Sequence, residues 1–184
     1  MTQPPSDAEL AALLDQERSA QAARARSSAR WLRQQTLEDA RLSGVLLSAA
    51  EHREVVTVRT RSGRSHAGAV AEVGADFVVL AVADGSLAYI ALDAITVLQS
   101  DHTLIAAPAA DDRDGPRPAL LRDVLADQAP EGPYVVVVCA GQQEAVVGRL
   151  LAVGVDVLTI VDERRALFYV SLSSVTEVLV RASG

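Results

Sequence analysis

The groups of this chain that could do chemistry are few and scattered. His52, His66 and His102 could bind a metal or move protons. None has a cysteine, a second histidine or a carboxylate at ligand spacing, so no metal site is predicted. Ser62 and Ser65 flank Gly63 beside His66, which reads as a hairpin tip rather than a nucleophile with its base. The carboxylate pairs Asp111-Asp112 and Asp162-Glu163 fall in linker and hairpin contexts, with no pocket to raise a pKa for acid–base work. Cys139 ends the run Tyr134-Val-Val-Val-Val-Cys, where a lone thiol packs as a small apolar group. With no second cysteine, a reducing cytoplasm is expected. There is no Gly-x-Ser-x-Gly elbow, phosphate-binding loop or dinucleotide fingerprint. The expectation is a protein that is not an enzyme and takes no cofactor.

What remains is arginine. All 17 basic residues are Arg, and the net charge of −7 is unevenly spread. Residues 1–17 carry −4, residues 18–64 carry +6 and residues 65–184 carry −9. A basic segment on an acidic body offers a place for an anionic partner. Arg24, Arg26, Arg30 and Arg33 fall on a predicted helix, and Arg59, Arg61, Arg64 and His66 surround a predicted hairpin. Arg59 and Arg61 share one strand face. Such a strip would contact phosphates and read few bases, because aromatics make up only 3% of the chain. No apolar run approaches the ~18 residues that a membrane helix requires, so no membrane contact is expected.

The elements that must position these groups follow from pattern. Residues 1–35 open on a capping box, Ser6-Asp7-Ala8-Glu9, and continue as an Ala/Arg-rich helix with little apolar surface. Residues 36–105 begin with a second cap at Thr36-Leu37-Glu38-Asp39, and Leu37, Ala40, Leu42, Val45, Leu46 and Ala49 keep helical spacing to about His52. The period then changes to two. Short strands are predicted over 55–60, 66–73, 77–80, 87–91 and 95–98, separated by glycine-bearing or short polar turns. Residues 106–118 hold three prolines and no large apolar group, as a linker does. Residues 119–184 start with a short helix at Leu120, Leu121, Val124 and Leu125 and contain a second set of strands.

That second set repeats the first. At an offset of 80 and without a gap, Val55, Val56 and Val58 fall on Val135, Val136 and Val138, and Gly68 falls on Gly148. Gly74, Asp76, Tyr89 and Thr96 fall on Gly154, Asp156, Tyr169 and Thr176. The helices match with one residue of slack, Leu42…Leu46 against Leu121…Leu125. Gly68 and Gly148 are expected to let a strand bend. Gly74 and Gly154 are expected at positive φ, Asp76 and Asp156 as acceptors from the turn backbone, and Tyr89 and Tyr169 with rings inward.

A helix, five bent strands, a glycine in the second strand and a short turn before the last resemble the Sm/LSm and Hfq family of small RNA-binding barrels, a pattern shared with SH3-like barrels. Gly63-Arg64-Ser-His-Ala-Gly68-Ala-Val70 looks like the strand-2 part of the Sm1 motif, and Tyr89-Ile90…Ile95-Thr-Val97 like the end of an Sm2- or Hfq-type motif. The strand signature Val-Gly-x-Asp-h-Val-x-Leu, with h apolar, also resembles that of uncharacterised actinobacterial-type proteins. The family's loop Asn, which helps to hold a base, has no counterpart in Val73-Gly74-Ala75-Asp76-Phe77 or Val153-Gly154-Val155-Asp156-Val157, so the central RNA pocket is not carried over. The resemblance implies a mainly β fold with an N-terminal α segment and two tandem five-stranded small barrels, each preceded by a helix. It implies a protein-interaction or scaffold role with a protein partner or self-association. The alternative is RNA or other nucleic-acid binding through the Arg-rich helix and first hairpin.

Overall fold

The computed structural model describes residues 21, 24, 27, 28, 31, 40–100 and 116–181. The chain divides into two units, residues 1–40 and 41–184. In the first, Gln21, Arg24, Ser27, Ser28 and Trp31 are helical and exposed. The rest of the predicted 1–35 helix, and the cap at Thr36 to Asp39, lie outside the described residues.

The second unit is mainly β. It runs α1 (Leu42–Glu51), β1 (Val55–Thr60), β2 (Ser65–Val73), β3 (Phe77–Val82), β4 (Leu87–Ala91) and β5 (Ile95–Ser100). Then come α2 (Leu121–Gln128), β6 (Tyr134–Cys139), β7 (Val146–Val153), β8 (Val157–Val161), β9 (Leu167–Ser171) and β10 (Val175–Val180). The β-branched runs form the strands, as their fit to a pleated surface requires. The first helix starts later than its spacing predicts. Arg41 is extended (φ −109, ψ 146), and Leu120 ahead of α2 is extended in the same way (φ −95, ψ 151), so the duplication reaches the helix starts. The end of the expected linker is pinned rather than free. Arg117 forms a parallel bridge with Gly74, and its guanidinium donates to Glu72 at 3.0 Å.

Two separate closed barrels are not what forms. All ten strands make one open antiparallel sheet in the order β5-β1-β2-β3-β4-β10-β6-β7-β8-β9. The merger comes from β10, which pairs with β6 of its own repeat and with β4 of the other. Each repeat keeps the internal order last-first-second-third-fourth strand, and β5 and β9 are left as the outer edges.

The ungapped offset of 80 is also corrected. Val56 pairs with Gly68 while Val135, not Val136, pairs with Gly148, so the first strand of each repeat matches at an offset of 79. The connection from Val137 to its partner Val146 is one residue longer than that from Val58 to His66, which absorbs the slip. Burial agrees: Val56 and Val58 are buried, as are Val135 and Val137. A one-residue error matters because it exchanges the two faces of a strand.

β3 is the strand that couples the repeats. Val78 and Leu80 join α1, Val56, Val58 and Ile90 in one core, whereas Phe77 and Val79 join Tyr89, Leu121, Leu125 and the strands of the second repeat in the other. A strand buried on both faces reads as a continuous apolar run, as Phe77-Val-Val-Leu does. Its mate β8, Val157-Leu-Thr-Ile, alternates buried and half-buried residues.

Two glycine expectations are revised. Gly74 and Gly154 do not take positive φ. At Gly74 the need is space, since a Cβ there would run into the Phe77 ring, and at Gly154 it would press on Val157. Gly68 and Gly148 sit where the facing strand passes close, and a Cβ at either would strike a backbone carbonyl, of Ala81 or Val161. Backbone yields less readily than a flexible side chain. Gly68→Ala and Gly148→Ala are each expected to cost about 1–3 kcal/mol, the range for overpacking, measured by chemical denaturation. Unchanged midpoints would contradict the close approach.

Candidate interaction interface

The junction between the repeats shows what these strands can do at an edge. β4 and β10 pair over Leu87↔Val180, Ala88↔Leu179, Tyr89↔Val178 and Ile90↔Glu177. Ala88, Tyr89 and Ile90 are buried there, as are Glu177 and Val178 across from Ile90 and Tyr89. The Tyr89 ring packs 6.3 Å from Phe77, and its hydroxyl accepts from Gln128 Nε2 at 2.7 Å. The turn of the first repeat also engages the second helix: Asp76 Oδ1 accepts the Leu121 backbone N–H at 2.7 Å. Asp76 therefore serves a helix start 45 residues away rather than its own turn.

Glu177 is the unexpected residue. It is 0% exposed, the only ionised type in the buried set of the described residues. His66 Nε2 lies 3.2 Å from its Oε1. Ser62 Oγ donates to the same oxygen at 3.3 Å, Arg64 Nε approaches at 4.0 Å, and Thr60 Oγ1 bonds Ser62 Oγ at 2.7 Å. Burial pushes the carboxyl up in pKa, but the His66 ring and the Thr60 and Ser62 hydroxyls outweigh it and hold the group below its ordinary value.

The predicted cationic strip is thus dispersed. His66 and Arg64 face Glu177, and Arg61 pairs with Asp93 at 3.4 Å. Arg59 is exposed on β1, and Arg24 is exposed in the first unit. Arg26, Arg30 and Arg33 lie outside the described residues. Of the carboxylate pairs, Asp162 accepts from the Arg164 and Ala166 amides in the β8–β9 turn. Cys139 is buried at the end of β6. Among the described residues no group of three or more His, Cys, Asp or Glu could hold a metal, and no helix is long and apolar enough to cross a membrane. A hollow of about 570 Å³ at the junction is lined by Asp76, Asp93, Arg122 and Ser173 together with apolar residues.

At the two ends of the sheet the same strands recur with no further strand beyond them among the described residues. β9 is the mate of β4, and Phe168 and Tyr169 are 39% and 69% exposed where Ala88 and Tyr89 are 0% and 5%. The inward ring expected of Tyr169 is therefore not found, because no strand among the described residues covers it. β5 is the mate of β10, and Val97 is 44% exposed where Glu177 is 0%. Sequence reading missed Glu177 because its own repeat offers no clue: the mate is a valine. No protein-family model matches the chain, and no curated protein matches it.

Two outcomes test the buried cluster. A carboxyl held below its unfolded value, near 4.5, stabilises the fold above that pH, and the benefit fades as pH falls through the folded pKa. The stability gap between wild type and Glu177→Gln should therefore be widest near neutrality and narrow in acid. A gap constant with pH would refute the linkage. His66→Val alone should cost about 3–5 kcal/mol by stranding a buried charge, while His66→Val with Glu177→Val should recover most of it. Denaturation of the three variants checks this.

Proposed function

We propose that this chain is a non-enzymatic protein-interaction or scaffold module built from duplicated Sm-like, SH3-like units, with the outer edges of β5 and β9 as its binding surfaces. One observation carries the reading: an edge of each kind is already paired inside the molecule, at β4–β10, and a second of each kind lies at an end of the sheet with no strand beyond it among the described residues. Neither outer strand is blunted. Ile95 to Gln99 of β5 and Leu167 to Ser171 of β9 hold no charge and no proline, whereas edges that must stay single usually carry one or the other. Strand addition supplies affinity through main-chain hydrogen bonds and specificity through alternate side chains.

Nucleic-acid binding is less well supported, because three of the four first-hairpin side chains it would use, Arg61, Arg64 and His66, face carboxylates.

The experiment is amide hydrogen exchange on the full chain, dilute and in any associated species separated by size with light scattering. Association should slow exchange in Leu167–Ser171 and Ile95–Ser100. Tyr169→Lys and Val97→Lys should each weaken it at least about tenfold, the equivalent of ~1.4 kcal/mol. An associated species in which both edges exchange as in the dilute chain overturns the reading.

A further inference from the structure

The outer face of β3–β4 in the first repeat is a docking site that the chain fills itself. Arg117 bridges Gly74 in parallel and donates its N–H to the Val73 carbonyl at 2.9 Å. The Ala119 carbonyl accepts the Ala75 N–H at 3.0 Å. The segment then turns helical, and Asp76 accepts the amide of Leu121 at the start of α2. Leu121 and Leu125 share a core with Phe77, Val79 and Tyr89. Gln128 donates to the Tyr89 hydroxyl. Leu121, Leu125 and Gln128 stand at i, i+4 and i+7, the spacing of one helix face laid on an apolar surface.

The second repeat rebuilds this site and leaves it open. The turn is the same. The Gly154 and Leu172 N–H groups donate to the Val157 and Asp156 carbonyls, as those of Gly74 and Leu92 donate to Phe77 and Asp76. The strand pair keeps its register, with Val157↔Ser171 and Thr159↔Tyr169 for Phe77↔Ala91 and Val79↔Tyr89. The cover is missing. Val155 is 84% exposed, and Tyr169 is 69% exposed where Tyr89 is 5%. Among the described residues no bond at Val153, Val155 or the Asp156 carboxylate matches those that Arg117, Ala119 and Leu121 make in the first repeat.

We propose that this face of β8–β9 takes a short amphipathic helix of another protein, led in by a few extended residues. The inference rests on the reading of the chain as an interaction module, but not on its strand edges. The filled copy defines the chemistry. The lead gives a carbonyl to the Val155 N–H and an N–H to the Val153 carbonyl. Asp156 caps the first helical amide. Apolar residues at positions 1 and 5 of the helix cover Val157, Thr159 and the Tyr169 ring, and a side-chain donor at position 8 meets the Tyr169 hydroxyl. Differences between the copies set the preference. Val157 in place of Phe77 removes a ring, so the residue at position 1 can be larger than leucine. Ala152 in place of Glu72 removes the carboxylate that holds Arg117, so the lead needs no basic residue. Helix α1 of a second copy fits less well: Ala49 stands where α2 has Gln128 and brings no donor to Tyr169.

The probe is a labelled synthetic peptide of residues 116–129, the segment that fills the first copy, titrated into the full-length chain. Fluorescence anisotropy should show saturable binding, and chemical-shift changes should fall on Val155, Asp156 and Tyr169. Asp156→Ala and Tyr169→Ala, both at exposed positions, should each weaken binding at least about tenfold. Circular dichroism confirms that each variant is folded. Tyr169→Phe in the chain and Gln128→Ala in the peptide should each weaken binding, and together no more than either alone, because both remove the same hydrogen bond. No binding up to millimolar peptide overturns the proposal, as does binding that Asp156→Ala and Tyr169→Ala leave unchanged. A chain that takes no peptide, and whose mass by light scattering rises with concentration in wild type but not in Val155→Lys, assigns the face to a second copy and overturns it too. None of these outcomes decides the edge reading, which rests on backbone protection of the outer strands in an associated species.

Discussion

A five-stranded sheet has two edges, and a chain with two such sheets has four. Pairing β4 with β10 consumes one edge from each repeat, and most of the architecture follows from that pairing. It turns two sheets into one. It requires β3 and β4 to be apolar on the face that meets the second repeat, which is why Phe77, Val79 and Tyr89 belong to the second core. It draws α2 onto the first repeat through Asp76 and Gln128. It also places a carboxylate, Glu177, where water cannot reach, and so obliges the opposite wall to supply polar partners.

Burying that carboxylate does little for stability by itself. Desolvation offsets most of the Coulombic gain, and an apolar pair of similar size would hold the repeats together as well. What a buried polar pair contributes is discrimination. In a molecule whose two repeats present nearly the same edges, Glu177 and His66 make the internal junction different from any other pairing of the same strands. The matched positions, Val97 in the first repeat and Val146 in the second, are both valine and form no such polar pair.

The divergence of the repeats is therefore not random. The residues kept in common, such as Gly68 and Gly148 or Thr96 and Thr176, serve strand approach and the bond from threonine to the first strand's carbonyl, at 3.0 Å in both repeats. The residues that differ, including His66 against Val146, Val97 against Glu177 and Ala88 against Phe168, line the faces where one repeat meets its neighbour. Folding constrains the first group within a repeat. The second group answers to whatever lies beyond the edge.

Local chemistry decided a good deal before any tertiary contact. β-Branched runs, glycine turns and period-two burial determined ten strands close to their final bounds, and self-similarity determined the duplication. That β3 is buried on both faces and β8 is not showed only in the packing. The true offset of the first strand did not show, because Tyr134 to Val138 is apolar throughout and accepts a one-residue slip without penalty in sequence. Nor did the fate of the arginines, since a charge that is solvated and a charge that meets a carboxylate from a distant strand look alike along the chain. Glu177 follows Thr176 in a strand whose sequence, Val-Thr-Glu-Val-Leu-Val, does not mark it as buried, and Tyr169 repeats Tyr89 letter for letter. Burial of the first and exposure of the second come from which edge another strand covers. That is settled by pairing between residues more than 80 positions apart, and local pattern carries no record of it.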